Sequence, residues 1–152
     1  MNQAWTKDLG FTHRTDGATD GENVGLAWKP ISADAKNMTR SSARTAYYDP
    51  ASKRPNLDLL IRSFVSKVNF RQLNATGVDI VKRNSTNNAS ISAKKEVILA
   101  AGALHTPQIL QLSGIGPSSV LEPLGIPVIQ DLPGVGANLH DHPRNTMTFD
   151  CK

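Results

Sequence analysis

The sequence predicts an α/β fold, a strand-and-helix body carrying a small antiparallel β insertion. Two observations predict it: an apolar run that stops at a glycine before a helical pattern, and alternating segments separated by a polar, turn-forming stretch. The first lies in Lys94-Lys-Glu-Val-Ile-Leu-Ala-Ala101 followed by Gly102-Ala-Leu-His-Thr-Pro-Gln-Ile-Leu-Gln-Leu-Ser-Gly-Ile-Gly116. Residues 96–101 read as a strand buried on both faces. Gly102 breaks the run, Thr106 offers a side-chain oxygen to cap a helix whose first position is Pro107, and Ile109, Leu110 and Leu112 supply its inward face. Gly114 supplies the left-handed residue that ends it. A strand, a glycine turn and a helix in that order make the usual cofactor site at the carboxyl end of a sheet strand.

The remaining elements follow in chain order. Residues 1–35 hold Gly10, Gly17, Gly21 and Gly25 among polar neighbours and predict loops. Arg40 to Tyr48 predicts a helix capped by Ser41 or Ser42 and stopped at Asp49-Pro50. Asn56 to Phe70 reads as extended, Ala75 to Lys82 as a second strand and Ser90 to Ala93 as a third. The polar residues 83–89 form a loop between the last two. A second helix at about 118–124 has Ser119 and Glu122 in capping-box spacing and is shortened by Pro123. Ile126 to Gln130 closes the series as a short strand, and Gly114-Ile-Gly116 reads as a cap and turn.

Composition narrows the function classes. No run approaches the ~18 consecutive apolar residues of a membrane span, and the first twenty residues are polar, without the apolar core of a signal peptide. The single cysteine, Cys151, excludes an internal disulfide and a multi-cysteine metal site; near the chain end it reads as a frayed thiol rather than a nucleophile. The net charge is +4, with basic residues in excess between Lys36 and Arg83. They are spaced singly along strand-like sequence, without aromatic or zinc-binding nucleic-acid motifs. They therefore read as a solvated face rather than a nucleic-acid surface. N-glycosylation sequons start at Asn37, Asn74, Asn84 and Asn88, which points toward a secreted parent protein and a glycoprotein.

The string from Gly102 to Gly116 closely resembles the second signature of the glucose-methanol-choline (GMC) oxidoreductases, FAD-dependent alcohol oxidases and dehydrogenases. Further strings occur in the order the family has them: Arg40-Ser-Ser-Ala-Arg-Thr-Ala-Tyr47, Arg54-Pro-Asn-Leu57, Gly77-Val78, Lys95-Glu-Val-Ile-Leu99, Leu121-Glu-Pro-Leu-Gly-Ile126, Asp131-Leu-Pro-Gly-Val-Gly136 and Asn138-Leu-His-Asp-His142. The resemblance implies that the chain is an internal portion of a longer protein. Residues 1–35 would be a loop-rich part of the approach to flavin and substrate. Residues 36–152 would be a partial FAD-binding, Rossmann-like domain with the antiparallel insertion. Neither the family's nucleotide fingerprint nor its catalytic histidine is present in these residues. Gly134-Val-Gly-Ala-Asn-Leu139 imitates the fingerprint but has Leu139 where the third glycine belongs.

The resemblance also implies the site. Phe64-Val-Ser-Lys-Val68 matches the family's adenine-contact strand, where the backbone of Val65 would read the base edge; an ordinary half-buried strand accounts for the same residues. Ala101 and Gly102 end the inner strand, where a glycine admits close backbone approach to a dinucleotide and the helix start offers unpaired amides. A glycine needed only for the turn is the alternative. FAD is the implied cofactor and a small-molecule alcohol the implied substrate; no nucleic acid, membrane or metal is implied, and the family's other segments would be needed to complete the site. His140 and His142 flank Asp141, but a metal would need a third ligand, and the family's proton acceptor lies in a later segment. Both histidines, and His105, read as structural, so no catalytic residue is assigned to this chain.

The implied reaction is oxidation of a CH–OH group with hydride transfer to flavin N5. The isolated chain is expected to hold FAD poorly and to turn over no alcohol. A family-derived cyclase or binding protein without redox chemistry is the alternative, and a basic interaction module unrelated to flavins the third reading.

Overall fold

Apolar and polar residues alternate along β3 (Ser63–Arg71) and β4 (Asn74–Lys82), and a turn at Gln72-Leu73 folds them into an antiparallel hairpin. The computed structural model describes residues 4–14, 24–27, 31–83 and 88–143. Contacts group the chain into two compact units, Met1–Leu59 and Leu60–Lys152.

In the first unit, where the sequence predicts loops, Ala4–Asp8 forms a wide helical turn and the two-residue strands β1 (His13–Arg14) and β2 (Leu26–Ala27) pair in parallel. The predicted helix is present as wide turns over Arg44–Tyr48 running into α1 (Asp49–Ala51). Ser42 caps it as expected. Its Oγ accepts the Thr45 amide at 3.3 Å, and Thr45 Oγ1 accepts the Ser42 amide at 3.0 Å. Asp49-Pro50 does not end the helix. Pro50 falls in the first turn of α1, where its missing N–H has no helical acceptor to serve.

The second unit is built on a three-stranded antiparallel sheet in the order β3-β4-β5, with β5 at Asn88–Ser92. This is the predicted insertion, with β3 starting later than the extended segment predicted from Asn56. The pairing of β3 with β4 is interrupted between Val65 and Lys67, so that Ser66 is an extra residue beside Val65. Against β3 packs α2 (Gly102–Leu112), followed by β6 (Ile115–Gly116), α3 (Ser118–Leu121), a tighter turn at Glu122–Leu124, and β7 (Gln130–Asp131). Among the described residues, the buried apolar side chains are Val68 and Ile80 of the hairpin, Ile109 of α2, Ile115 and Leu121. The strands β3, β4 and β6 and the helices α2 and α3 thus each place an apolar residue in the core. Leu112, predicted to face inward, is 48% exposed.

Several expectations are corrected. Residues 96–101 form no strand. No backbone group of residues 96–100 pairs with another among the described residues, and Ile98 is 77% exposed. Burial alternates instead, with Val97 and Leu99 half-buried. A run of this composition needs strands paired on both sides to be a buried strand, and none of the described strands pairs with it. Helix α2 begins a turn earlier than Thr106 and passes through Pro107. Thr106 reaches back, Oγ1 accepting the Ala101 amide at 3.1 Å, rather than capping the residues after it. Ile115–Gly116, read as part of a turn, is a strand pairing in parallel with Gln130–Asp131. The cap of α3 is not Ser119: Asp131 accepts the Ser118 amide at 2.9 Å and the Ser118 hydroxyl at 3.0 Å. Cys151 and Asn84 lie outside the described residues.

Gly114 ends α2 as predicted. Its φ is +83°, and a β-carbon there would stand 2.5 Å from the Pro127 carbonyl oxygen. The glycine carbonyl accepts the amides of Ile129 and Gln130 at 2.8 and 3.1 Å. The helix stop and the β6–β7 pairing are therefore one construction.

Candidate functional site

Val65 stands on β3, one of the two edge strands of the sheet, next to the bulge at Ser66 and 38% exposed. An edge strand keeps one row of main-chain donors and acceptors free of the ladder. At Val68 that row meets the end of α2: the Val68 amide donates to the buried Ser113 hydroxyl at 2.8 Å. Helix α2 therefore lies along one part of the β3 edge.

A cavity of about 420 Å³ lies across the sheet, with Val65 of β3 at one end and Ile91 and Ser92 of β5 at the other. Val65, Gly77 and Val78 line it from the hairpin, residues 96–101 line it from the segment leading to α2, and Ile109 closes it from the helix. Val65 and Ala101, far apart in sequence, thus share one crevice. Gly102 follows Ala101 but is not itself a lining residue. Its φ is +82° and a β-carbon there would meet nothing within 4 Å. The conformation, not crowding within this chain, accounts for the glycine. The walls are chiefly apolar, and the main chain of residues 96–100, free of backbone pairing, supplies polar groups within them. Such walls suit a flat aromatic system: apolar faces, with amide and carbonyl groups to pair at its edge.

A second, larger cleft of about 530 Å³ lies between α2 and residues 135–140 and shares no lining residue with the first. His140 lies on its rim, with Nδ1 2.7 Å from the Asn138 carbonyl oxygen. The His142 amide donates to its neighbour Asp141 at 2.7 Å, and both histidines are exposed. His105 bonds Gln108 one turn along α2, with Nδ1 and Oε1 3.0 Å apart. Among the described residues no three His, Cys, Asp or Glu side chains gather as a metal site, and no helix is long and apolar enough to cross a membrane.

The polar cluster with the clearest electrostatic signature lies on the sheet and escaped the sequence reading. Asp79 of β4 accepts Asn69 Nδ2 at 2.7 Å and the Ser90 hydroxyl, and Lys67 Nζ stands 3.5 Å from its other oxygen. The hydrogen bonds from Ser90 and then Asn69, with a smaller contribution from Lys67, hold the Asp79 carboxyl below the ordinary carboxylate value against the opposing effect of burial. Alternation along β3 and β4 places these residues on one face, but only the strand register joins them.

Comparison with known proteins assigns residues 3–144 to the family model described as GMC oxidoreductase. The chain is 48% identical over 133 residues to the dehydrogenase xptC of Emericella nidulans, covering 88% of this chain and 21% of that protein. It is 44% identical to an oxygen-dependent choline dehydrogenase of Pseudomonas putida, covering 76% of this chain and 20% of the relative. Among solved structures, an FAD-dependent oxidoreductase from Chaetomium thermophilum matches with a TM-score of 0.78 and 44% identity, over 88% of this chain and 23% of that one. The chain spans about a fifth of the length of the curated relatives it matches. The fold is that of a portion of an FAD-binding, Rossmann-like domain with its antiparallel sheet.

Proposed function

Because this chain belongs to the GMC oxidoreductase family, we propose that it is part of an FAD-dependent oxidoreductase that acts on the CH–OH group of a small alcohol. The observation that carries the reading is the crevice shared by Val65 and Ala101. When bound, FAD supplies the acceptor for a two-electron oxidation, taking hydride from the alcohol carbon at N5.

This chain's contribution is to bind and orient. The free edge of β3 at Val65 offers main-chain groups to the adenine, and the bulge at Ser66 turns that edge away from the regular ladder. Gly102 lets the chain approach the dinucleotide without a side chain in the way and Ala101 adds only a methyl, and the first amides of α2, which have no carbonyl partner within the helix, favour negative charge. Thr106 holds the Ala101 amide and so fixes the path into that turn. His105 and His140 are engaged locally, and we assign no proton-transfer role to them or to His142. The choline dehydrogenase among the relatives supports an alcohol as substrate class.

The test is to express the full product of the gene and to titrate FAD into the apoprotein, then to add alcohols anaerobically. Saturable flavin fluorescence quenching and bleaching of the flavin absorption by an alcohol are expected. A full product that retains no FAD overturns the proposal. The 152-residue chain by itself is expected to purify colourless and to oxidise no alcohol; a stoichiometric flavin spectrum from it overturns that part.

A further inference from the structure

The sequons find no use in flavin chemistry, and the structure places one of them at a hairpin tip. Asn74 begins β4 at the tip of the hairpin, its register partner being Arg71 across the Gln72-Leu73 turn. Every residue from Arg71 to Thr76 is exposed, and none lines either cavity. The side-chain amide of Asn74 takes no hydrogen bond among the described residues, whereas Leu73 beside it leaves an apolar side chain 64% exposed. We propose that Asn74, in Asn74-Ala-Thr76, is an acceptor for an N-linked oligosaccharide.

The folded hairpin also fixes when the transfer occurs. Thr76 Oγ1 donates to the Asn69 carbonyl at 3.1 Å once the strands pair. The hydroxyl by which a sequon is read is therefore available before β3 and β4 close, and the modification belongs to the unfolded chain. In the transfer, Asn74 Nδ2 attacks the anomeric carbon of a polyprenyl-pyrophosphate-linked oligosaccharide. The N–C bond forms, the carbon–oxygen bond to pyrophosphate breaks, the lipid pyrophosphate leaves, and the amide proton passes to a base of the transferase. After folding, the glycan points outward from the hairpin tip, covers Leu73 and leaves both cavities open.

The chain should be expressed in a yeast behind an added secretory leader, and total cell and medium material treated with peptide N-glycosidase in heavy-oxygen water. Peptide mass spectrometry is expected to find heavy-oxygen aspartate at position 74. Asn74→Gln and Thr76→Ala should each remove the mobility shift of one glycan, and Thr76→Ser should retain it. Reading total material makes the result independent of whether a variant folds or is released. An unconverted Asn74, with glycans only at other positions or at none, overturns the proposal.

Discussion

The hydroxyl of Ser113 accepts the amide of Val68 at 2.8 Å and donates to the carbonyl of Ile109, so one buried side chain joins the edge of β3 to the last turn of α2. Ser113 is the buried polar residue among the described ones, and Val68 is 4% exposed. The amide of Val68 points away from β4, toward what would otherwise be an open sheet edge.

Replacing Ser113 with alanine leaves that amide buried without an acceptor. The penalty for such a donor is about 1–3 kcal/mol. Ser113→Ala is therefore expected to speed hydrogen exchange at the Val68 amide by about one to two orders of magnitude, with little change at the exposed hairpin tip. Unchanged protection at Val68 would show that the bond contributes nothing.

Gly114→Ala is expected to disturb more than the helix end. The φ of +83° alone disfavours a side chain by about 1–2 kcal/mol. The added carbon would also press on the Pro127 carbonyl oxygen, a backbone atom that cannot swing aside. Exchange should quicken at Ile129 and Gln130, whose amides bond Gly114, and at Leu132, which bonds Gly116. Quickening confined to α2 would separate the helix stop from the β6–β7 pairing.

What the sequence made legible was local. The hairpin follows from alternation on either side of Gln72-Leu73, and the stop at Gly114 from a glycine after an apolar helical face. The two-residue pairing of Ile115–Gly116 with Gln130–Asp131 has no periodicity to reveal it. Asp131 caps α3 from thirteen residues away, and no local pattern distinguishes it from the nearer Ser119. Residues 96–101 mislead for the opposite reason: an apolar run has the composition of a buried strand whether or not strands pair with it, and none of the described strands does. The crevice was legible only in part. The resemblance singled out Val65 and Ala101, but their common cavity depends on α2 packing along β3.

The Asp131 cap leads to a directional test. Asp131→Ala removes acceptors from both the Ser118 amide and its hydroxyl, and loss of such a cap costs about 0.5–2 kcal/mol. Exchange at the Ser118 amide is expected to rise accordingly, and Asp131→Asn, which keeps one carbonyl acceptor, should recover most of the protection. Equal losses in the two variants would make the negative charge, rather than the hydrogen bond, the main contribution.

Asp79 carries a pH dependence whose sign is fixed by its neighbours. Its pKa is lowered on folding, chiefly by Ser90 and then Asn69. The charged form is therefore the one the sheet favours. The stability it contributes is present above the ordinary carboxylate pKa and is lost as pH falls through the lower folded value. Carboxyl NMR titration should give Asp79 a midpoint below that of a free aspartate. Ser90→Ala should raise that midpoint more than Lys67→Ala, and added salt should move it little, because hydrogen bonds rather than a screened charge pair dominate. A midpoint governed by Lys67 and abolished by salt would reverse that order.

Gly102 separates a turn from a cofactor contact. In this chain its φ of +82° calls for glycine, yet a β-carbon would meet nothing within 4 Å. Gly102→Ala should thus carry only the backbone strain of about 1–2 kcal/mol, less than the strain and contact together at Gly114. If the dinucleotide approaches Gly102 in the full gene product, the added methyl lies between them, and FAD affinity should fall well beyond what the fold loses. The comparison needs two readings on one variant: stability without FAD, and the dissociation constant for FAD. A drop in affinity of tenfold or more with a modest change in stability assigns the glycine to the cofactor. Affinity that holds while stability falls assigns it to the turn, leaving the Val65–Ala101 crevice to bind FAD without it.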